Sequence, residues 1–167
     1  MILGNLKSQL NEAIQILSET SKLVGGKDGG TQHIVQTVGF HAQLSRDVNL
    51  VRQQTVIFDK IITNEGGSYH SNTGHFVSPC NGLFSFTVTF LAQSPGDLHL
   101  EMVKNKVVLS LGYATKGHFE AGHMNAVVSL KKGDVVKVQH CIWGNIGPQT
   151  IDGGFGFFSG FLISRYL

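Results

Sequence analysis

The chain holds three prolines, two cysteines and one tryptophan in 167 residues, and its scarcities close off several classes of protein. No run of about 18 apolar residues occurs, so no helix is expected to span a membrane. Cys80 and Cys141 form neither a CxxC pair nor a disulfide framework. They fit two free, buried thiols better than one bridge, and they leave the redox compartment open. No Asn-x-Ser/Thr sequon is present, and no Gly-x-y run, which excludes a collagen triple helix. Charge is sparse: 14% of residues, with a net charge of +2. The longest basic run, Lys131-Lys132, sits beside Gly133-Asp134 and reads as a solvated hairpin end, so nucleic acid is not an expected partner. The opening MILGNLKSQL lacks a cationic end and a continuous apolar core, so it does not read as a signal peptide. The expectation is a chain made without a leader, or one already trimmed. Catalytic patterns are missing as well. Gly156-Phe157-Phe158-Ser159-Gly160 has the wrong spacing for G-x-S-x-G. His118 to His123 (HFEAGH) places its histidines five apart, with Gly117 before the first and Gly122 before the second, which fails H-E-x-x-H. The chain is not expected to be an enzyme.

What is abundant is glycine (21), phenylalanine (11) and a hydrophobic fraction of 41%. Glycine is roughly twice its usual ~7%. Without low-complexity runs, that surplus means many tight turns in one folded domain. The aromatics fill a core laid down from two inner faces.

Residues 1–24 differ from the rest. Leu3, Leu10, Leu17 and Val24 form one heptad row, and Leu6, Ala13 and Thr20 form the other. The pattern fits an amphipathic helix: a short oligomerising coiled coil, a helix docked on its own domain, or a frayed tail. Residues 25–34, with Gly25-Gly26 and Gly29-Gly30, read as a flexible linker. From residue 35 onward short apolar–polar alternations are separated by turn signals. VGFHAQLS, QTVIFDKIIT, GHFVSP, GLFSFTVTFLAQ, LHLEMV, VVLSLGYA, MNAVVSL, VVKVQHCIW, GGFGFF and SGFLISRYL make about ten strands. Phe84, Phe86, Val88 and Phe90 share one face, and Lys104-Asn105-Lys106 turns the chain. This is an all-β sandwich or barrel.

The aromatics and glycines also keep fixed spacings: Phe58, Asn64, Tyr69, Phe76, Gly82, then Phe84 and Phe86. Asn64 and Gly66-Gly67 suit positive φ in a turn. Tyr69 and Phe76 suit the sandwich end, and Gly82 suits a close backbone approach. This ladder resembles the signature of the complement C1q globular domain family, with Val88 where an aromatic is usual. Met102-Val103-Lys104-Asn105 resembles that family's L-x-K-N-G turn, with Met102 in the leucine position and Lys106 in the glycine position. SLKKGD resembles its hairpin, and FSGFLISRY, with Gly160 and Phe161, its closing strand. The resemblance covers residues 35–167. It implies a ten-stranded jelly roll, like the tumour necrosis factor fold, assembled as a homotrimer in an extracellular, secreted setting. Apolar residues on both faces of the late strands (Val136, Val138, Ile142, Trp143, Phe161, Ile163, Tyr166) agree with one face in the core and the other against a neighbouring subunit.

The resemblance further implies calcium held by acidic residues in the loop from Gly112 to His123. Here that loop offers one carboxylate, Glu120, with His118 and His123; imidazoles suit zinc or nickel better than calcium. The alternative is a polar loop with no ion. Candidate ligand contacts are Tyr113, Lys116, His118 and Glu120, with Trp143 and Asn145 in a later loop, where an aromatic beside an amide suits a sugar face. His99 and Glu101 share one strand face, as an ion pair across a subunit interface or facing solvent. The implied function is a trimeric, lectin-like pattern-recognition module of innate immunity that binds glycans or microbial surface molecules. The alternatives are a signalling ligand docking on a receptor and a structural or metal-binding trimer.

Overall fold

The computed structural model describes residues 14–16, 37–93, 97–115, 121–141 and 148–166. The chain divides into two compact units, Met1–Val35 and Gln36–Leu167. In the first, residues 14–16 are helical. The remainder of the expected helix, and the linker at 25–34, lie outside the described residues.

The second unit is built of β1 (Gly39–Gln43), β2 (Val48–Leu50), β3 (Lys60–Glu65), β4 (Tyr69–His70), β5 (His75–Val77), β6 (Gly82–Phe90), β7 (Leu98–Lys104), β8 (Val107–Ala114), β9 (Gly122–Leu130), β10 (Val135–His140), β11 (Gln149–Ile151) and β12 (Phe157–Arg165). Two five-stranded sheets, β3-β1-β12-β6-β9 and β4-β5-β10-β7-β8, face each other as a jelly-roll sandwich, and β11-β2 forms a short ribbon. The ten strands of the two main sheets match the expected number. Two of the expected strands are drawn differently. QTVIFDKIIT is not continuous: residues 53–56 lie along β10, with Val56 N donating to Val138 O at 2.9 Å, and β3 begins only at Lys60. GGFGFF and SGFLISRYL join, so that one strand runs from Phe157.

β6 alternates buried and half-buried residues along its whole length, and Phe84, Phe86, Val88 and Phe90 point into the core. The aromatics meet around Phe40. Its ring stacks on Tyr69 with centroids 4.7 Å apart and meets Phe158 edge-on at 4.8 Å. Phe40 belongs to the first sheet and Tyr69 to the second, so these contacts hold the two sheets together.

The signature spacing has a hydrogen-bonding cause. The Tyr69 hydroxyl donates to Phe58 O at 3.1 Å and accepts from Phe58 N at 3.2 Å. Asn64 Nδ2 donates to Tyr69 O at 2.9 Å, and Asn64 Oδ1 accepts from Tyr69 N at 3.2 Å. Three residues thus clamp the crossing from the first sheet to the second. This corrects two expectations. Asn64 is a strand residue whose amide stands in for a backbone partner, and the positive φ falls on Gly66 (+79°) and Gly67 (+62°). Tyr69 and Phe76 lie between the sheets, not over the sandwich end.

Gly82 and Gly160 are required by contact. A Cβ on Gly82 would lie 2.6 Å from Ser164 O, and one on Gly160 would lie 2.4 Å from a ring carbon of Phe86. Cys80 and Cys141 are buried thiols that are not bridged to each other.

Candidate interaction surfaces

The outward face of the first sheet is organised in rows, because directly paired residues on neighbouring strands share a face. One row runs His41–Ser159–Thr87–Asn125. It is bonded within itself: His41 Nδ1 lies 2.6 Å from Ser159 Oγ, and Thr87 Oγ1 donates to Asn125 Oδ1 at 3.0 Å. Gln43 Nε2 lies 3.3 Å from His41 Nε2, which extends the chain of contacts to the next row. The next row is Gln43–Phe157–Thr89–His123, in which Thr89 Oγ1 lies 3.0 Å from His123 Nδ1. A cavity of about 290 Å³ opens at this end, where Phe157, Thr89 and Gln43 meet the exposed Phe155.

The third row is apolar at two positions. Phe161 (55% exposed) and Val127 (66% exposed) stand on either side of Ser85. Ile163 is exposed farther along β12. β8, the edge strand of the second sheet, adds exposed Val107, Leu111 and Tyr113. The late strands therefore split: Val136 and Val138 are in the core, whereas Phe161 and Ile163 are exposed on β12 and Tyr166 is exposed just beyond its end. Ile142 and Trp143 lie outside the described residues.

Of the candidate contacts, the structure describes Tyr113 and His123. Lys116, His118, Glu120, Trp143 and Asn145 lie outside the described residues. Tyr113 packs on His99, with centroids 4.6 Å apart. Its hydrogen bond to the Asp97 carboxylate holds the phenol in its protonated form and raises its pKa. His123 is exposed on the outward face of the first sheet. His99 and Glu101 share a strand face, but neither takes the expected part. Glu101 is buried within its own chain, where Gln139 Nε2 donates to it at 2.6 Å. Backbone N–H of His99 donates to Gln149 Oε1 at 2.7 Å, and His140 Nε2 lies 2.9 Å from the same oxygen. An ion pair between subunits thus loses its acid to an intrachain bond. The sequence reading missed Gln149, which gathers the two histidines. Its only local signal was an amide before a short β-prone run. The His99–Tyr113 pairing was open to counting outward from the Lys104–Lys106 turn, except that a bulge at Met102/Val103 shifts the register.

Two facing antiparallel sheets in this strand order define a jelly-roll sandwich. The chain belongs to the C1q domain family, whose model matches residues 39–163. It is 35% identical over 104 residues to the heavy metal-binding protein HIP of Mytilus edulis, covering 60% of this chain and 49% of that protein. To one of the subunits of the human complement C1q subcomponent it is 30% identical over 139 residues, covering 80% of this chain and 53% of the relative. The chain thus spans about half the length of these curated relatives. Among solved structures, the globular domain of zebrafish complement 1qA superposes with a TM-score of 0.64 at 22% identity, over 78% of this chain and 99% of that one. The Eiger tumour necrosis factor of S. frugiperda gives 0.61 at 13% identity, over 79% of this chain and 96% of that one. These two likenesses concern the fold. Among the described residues, no helix is long and apolar enough to cross a membrane.

Proposed function

We propose that the chain works as a secreted homotrimeric recognition module. Three copies pack through the outward face of the first sheet and the β8 edge, and their loops bind glycans on microbial surfaces. The observation that carries the reading is the apolar surface left open by one chain: Phe161, Ile163 and Val127 on the first sheet, with Val107 and Leu111 on the neighbouring edge. Several large apolar side chains left exposed on one side of a folded domain suit an interface. Residues 1–24 act as a trimeric coiled coil that holds the heads in register, and three weak sites on one assembly gain avidity without tight individual contacts. Tyr113, Lys116, His118, Glu120, Trp143 and Asn145 supply the ligand contacts. Membership of a family that includes complement C1q subunits supports a recognition role.

Sedimentation velocity on the whole chain at micromolar concentration tests the assembly, with three protomers expected; a monomer overturns it. Binding to a glycan array and to intact bacteria tests the ligand class. A trimer silent on both keeps the assembly and loses the lectin reading.

A second reading is a trimer that binds divalent metal. It is favoured by the name of the mussel relative, a heavy metal-binding protein. His118, Glu120 and His123, repeated three times around an axis, are the residues proposed for it, and imidazole favours zinc or nickel over calcium.

A further inference from the structure

The β4–β5 hairpin carries two histidines that neither the recognition loops nor the outward face of the first sheet uses. His70 ends β4 and His75 begins β5, and the ladder sets them directly opposite each other. The neighbouring pair in that ladder, Tyr69 and Phe76, is buried in the core. Alternation therefore turns both imidazoles to the outer side of the second sheet. His70 is exposed there and His75 half-buried.

The hairpin that presents them is well anchored. His70 O accepts from Gly74 N at 2.8 Å and from Thr73 N at 3.1 Å. Gly74 holds φ +72°, and a Cβ there would lie 2.4 Å from Val56 O, so the turn sits tightly on the segment beside β10. Directly opposed residues of an antiparallel pair have Cβ atoms about 4.5–5.5 Å apart. An imidazole nitrogen binds a zinc-sized ion at about 2.0–2.1 Å. Two imidazoles rising from such a pair can therefore close on one ion without moving the backbone.

The charged side chains beside the pair are both cationic, Lys106 and Lys137 lining one cavity with His75, so the site relies on imidazole ligation and not on charge attraction. Lys137, on β10, is the charged residue paired with His75 on the other side. Its ammonium donates to Thr55 Oγ1 at 3.0 Å. Beyond it the row continues through Val103 to Val108. The row thus contains no carboxylate, which disfavours a hard, oxygen-seeking ion such as calcium.

We infer that His70 and His75 form a two-imidazole site for a borderline divalent transition metal, with copper(II) bound most tightly, then nickel and zinc in the order expected for such ligands. Among the described residues no group of three or more His, Cys, Asp or Glu is placed to hold a metal ion. The pair is accordingly an open site, with water in the remaining positions, suited to capture and release. It takes up the metal-binding reading above, at a different place in the fold from His123, and does not depend on glycan recognition.

Copper(II), nickel(II) and zinc(II) chlorides, titrated calorimetrically into the whole chain at pH 7.5 and 5.5, test it. His70→Ala, His75→Ala and His123→Ala serve as variants, and thermal unfolding of each without metal verifies folding. The expected result is copper(II) binding at pH 7.5 that falls at least tenfold in either hairpin variant and on acidification, but not in His123→Ala. Copper(II) raises the Tm of the wild type but not of the hairpin variants, because the ion binds only the folded hairpin. If copper(II) binds the wild type and both hairpin variants equally, the pair is overturned and the metal reading survives. If the wild type binds none of the three ions, both fall.

Discussion

The two faces of the first sheet use the same residue types to opposite ends. On β12, Phe158 and Gly160 point inward, and Phe157, Ser159 and Phe161 point outward. Phe158 is fully buried, whereas Phe161 is 55% exposed. Inside, the rings of Phe40, Phe58, Tyr69, Phe76, Phe84, Phe86 and Phe158 pack on one another, and Gly160 is small because Phe86 and Phe40 occupy the space its side chain would need. Outside, hydroxyls, amides and imidazoles bond along the rows, with a few apolar side chains left open. The inner face accounts for the stability of one chain. The outer face is the surface through which copies are proposed to meet.

Substitutions on each face sharpen the contrast. Phe40→Ala opens a cavity where the two sheets meet and should cost about 3–5 kcal/mol, seen as a lower denaturant midpoint. Tyr69→Phe keeps the ring but strips the two bonds to Phe58 and should cost about 1–3 kcal/mol. A loss of similar size in Phe40→Ala and in an outward Phe161→Ala would undo the distinction between faces. Lys106→Gly tests a site on neither face. Lys106 holds φ +83° in the turn after β7, so glycine should stabilise by about 0.5–1 kcal/mol. Phe161→Asp should leave the unfolding free energy of the protomer within about 0.5 kcal/mol. Its consequence lies in assembly, where light scattering should report one protomer in place of three.

The inward face was the more legible one. Alternation along GLFSFTVTF placed Phe84, Phe86, Val88 and Phe90 together, and the Lys104–Lys106 and Lys131–Asp134 turns announced themselves in their residue types. The signature residues were legible as a spacing, but their mechanism was not. That Asn64 and Phe58 converge on Tyr69 depends on how the chain crosses from one sheet to the other. β2, β4 and β11 have two or three residues each, too few for a period of two to register. Glu101 read as an interface ion-pair partner or a solvent-facing residue because alternation puts it opposite Leu100, but it is buried and bonded by Gln139 on the paired strand. Tyr113 and His123 were the two candidate contacts within the described residues; His70 and His75 went unremarked, five residues apart with a turn between them.

Alternation and turn chemistry are local, so the order of side chains along each strand, the positions of the tight turns and the supply of aromatics for a two-sided core were determined by the residues themselves. Which strands pair, in what register, and which distant side chains meet as a result depended on closing the whole sandwich. Pairing joins residues far apart in the chain, and a one-residue slip would carry every side chain to the opposite face. The rows on the outer surface, the clamp on Tyr69 and the facing imidazoles of the hairpin exist only once that register is set.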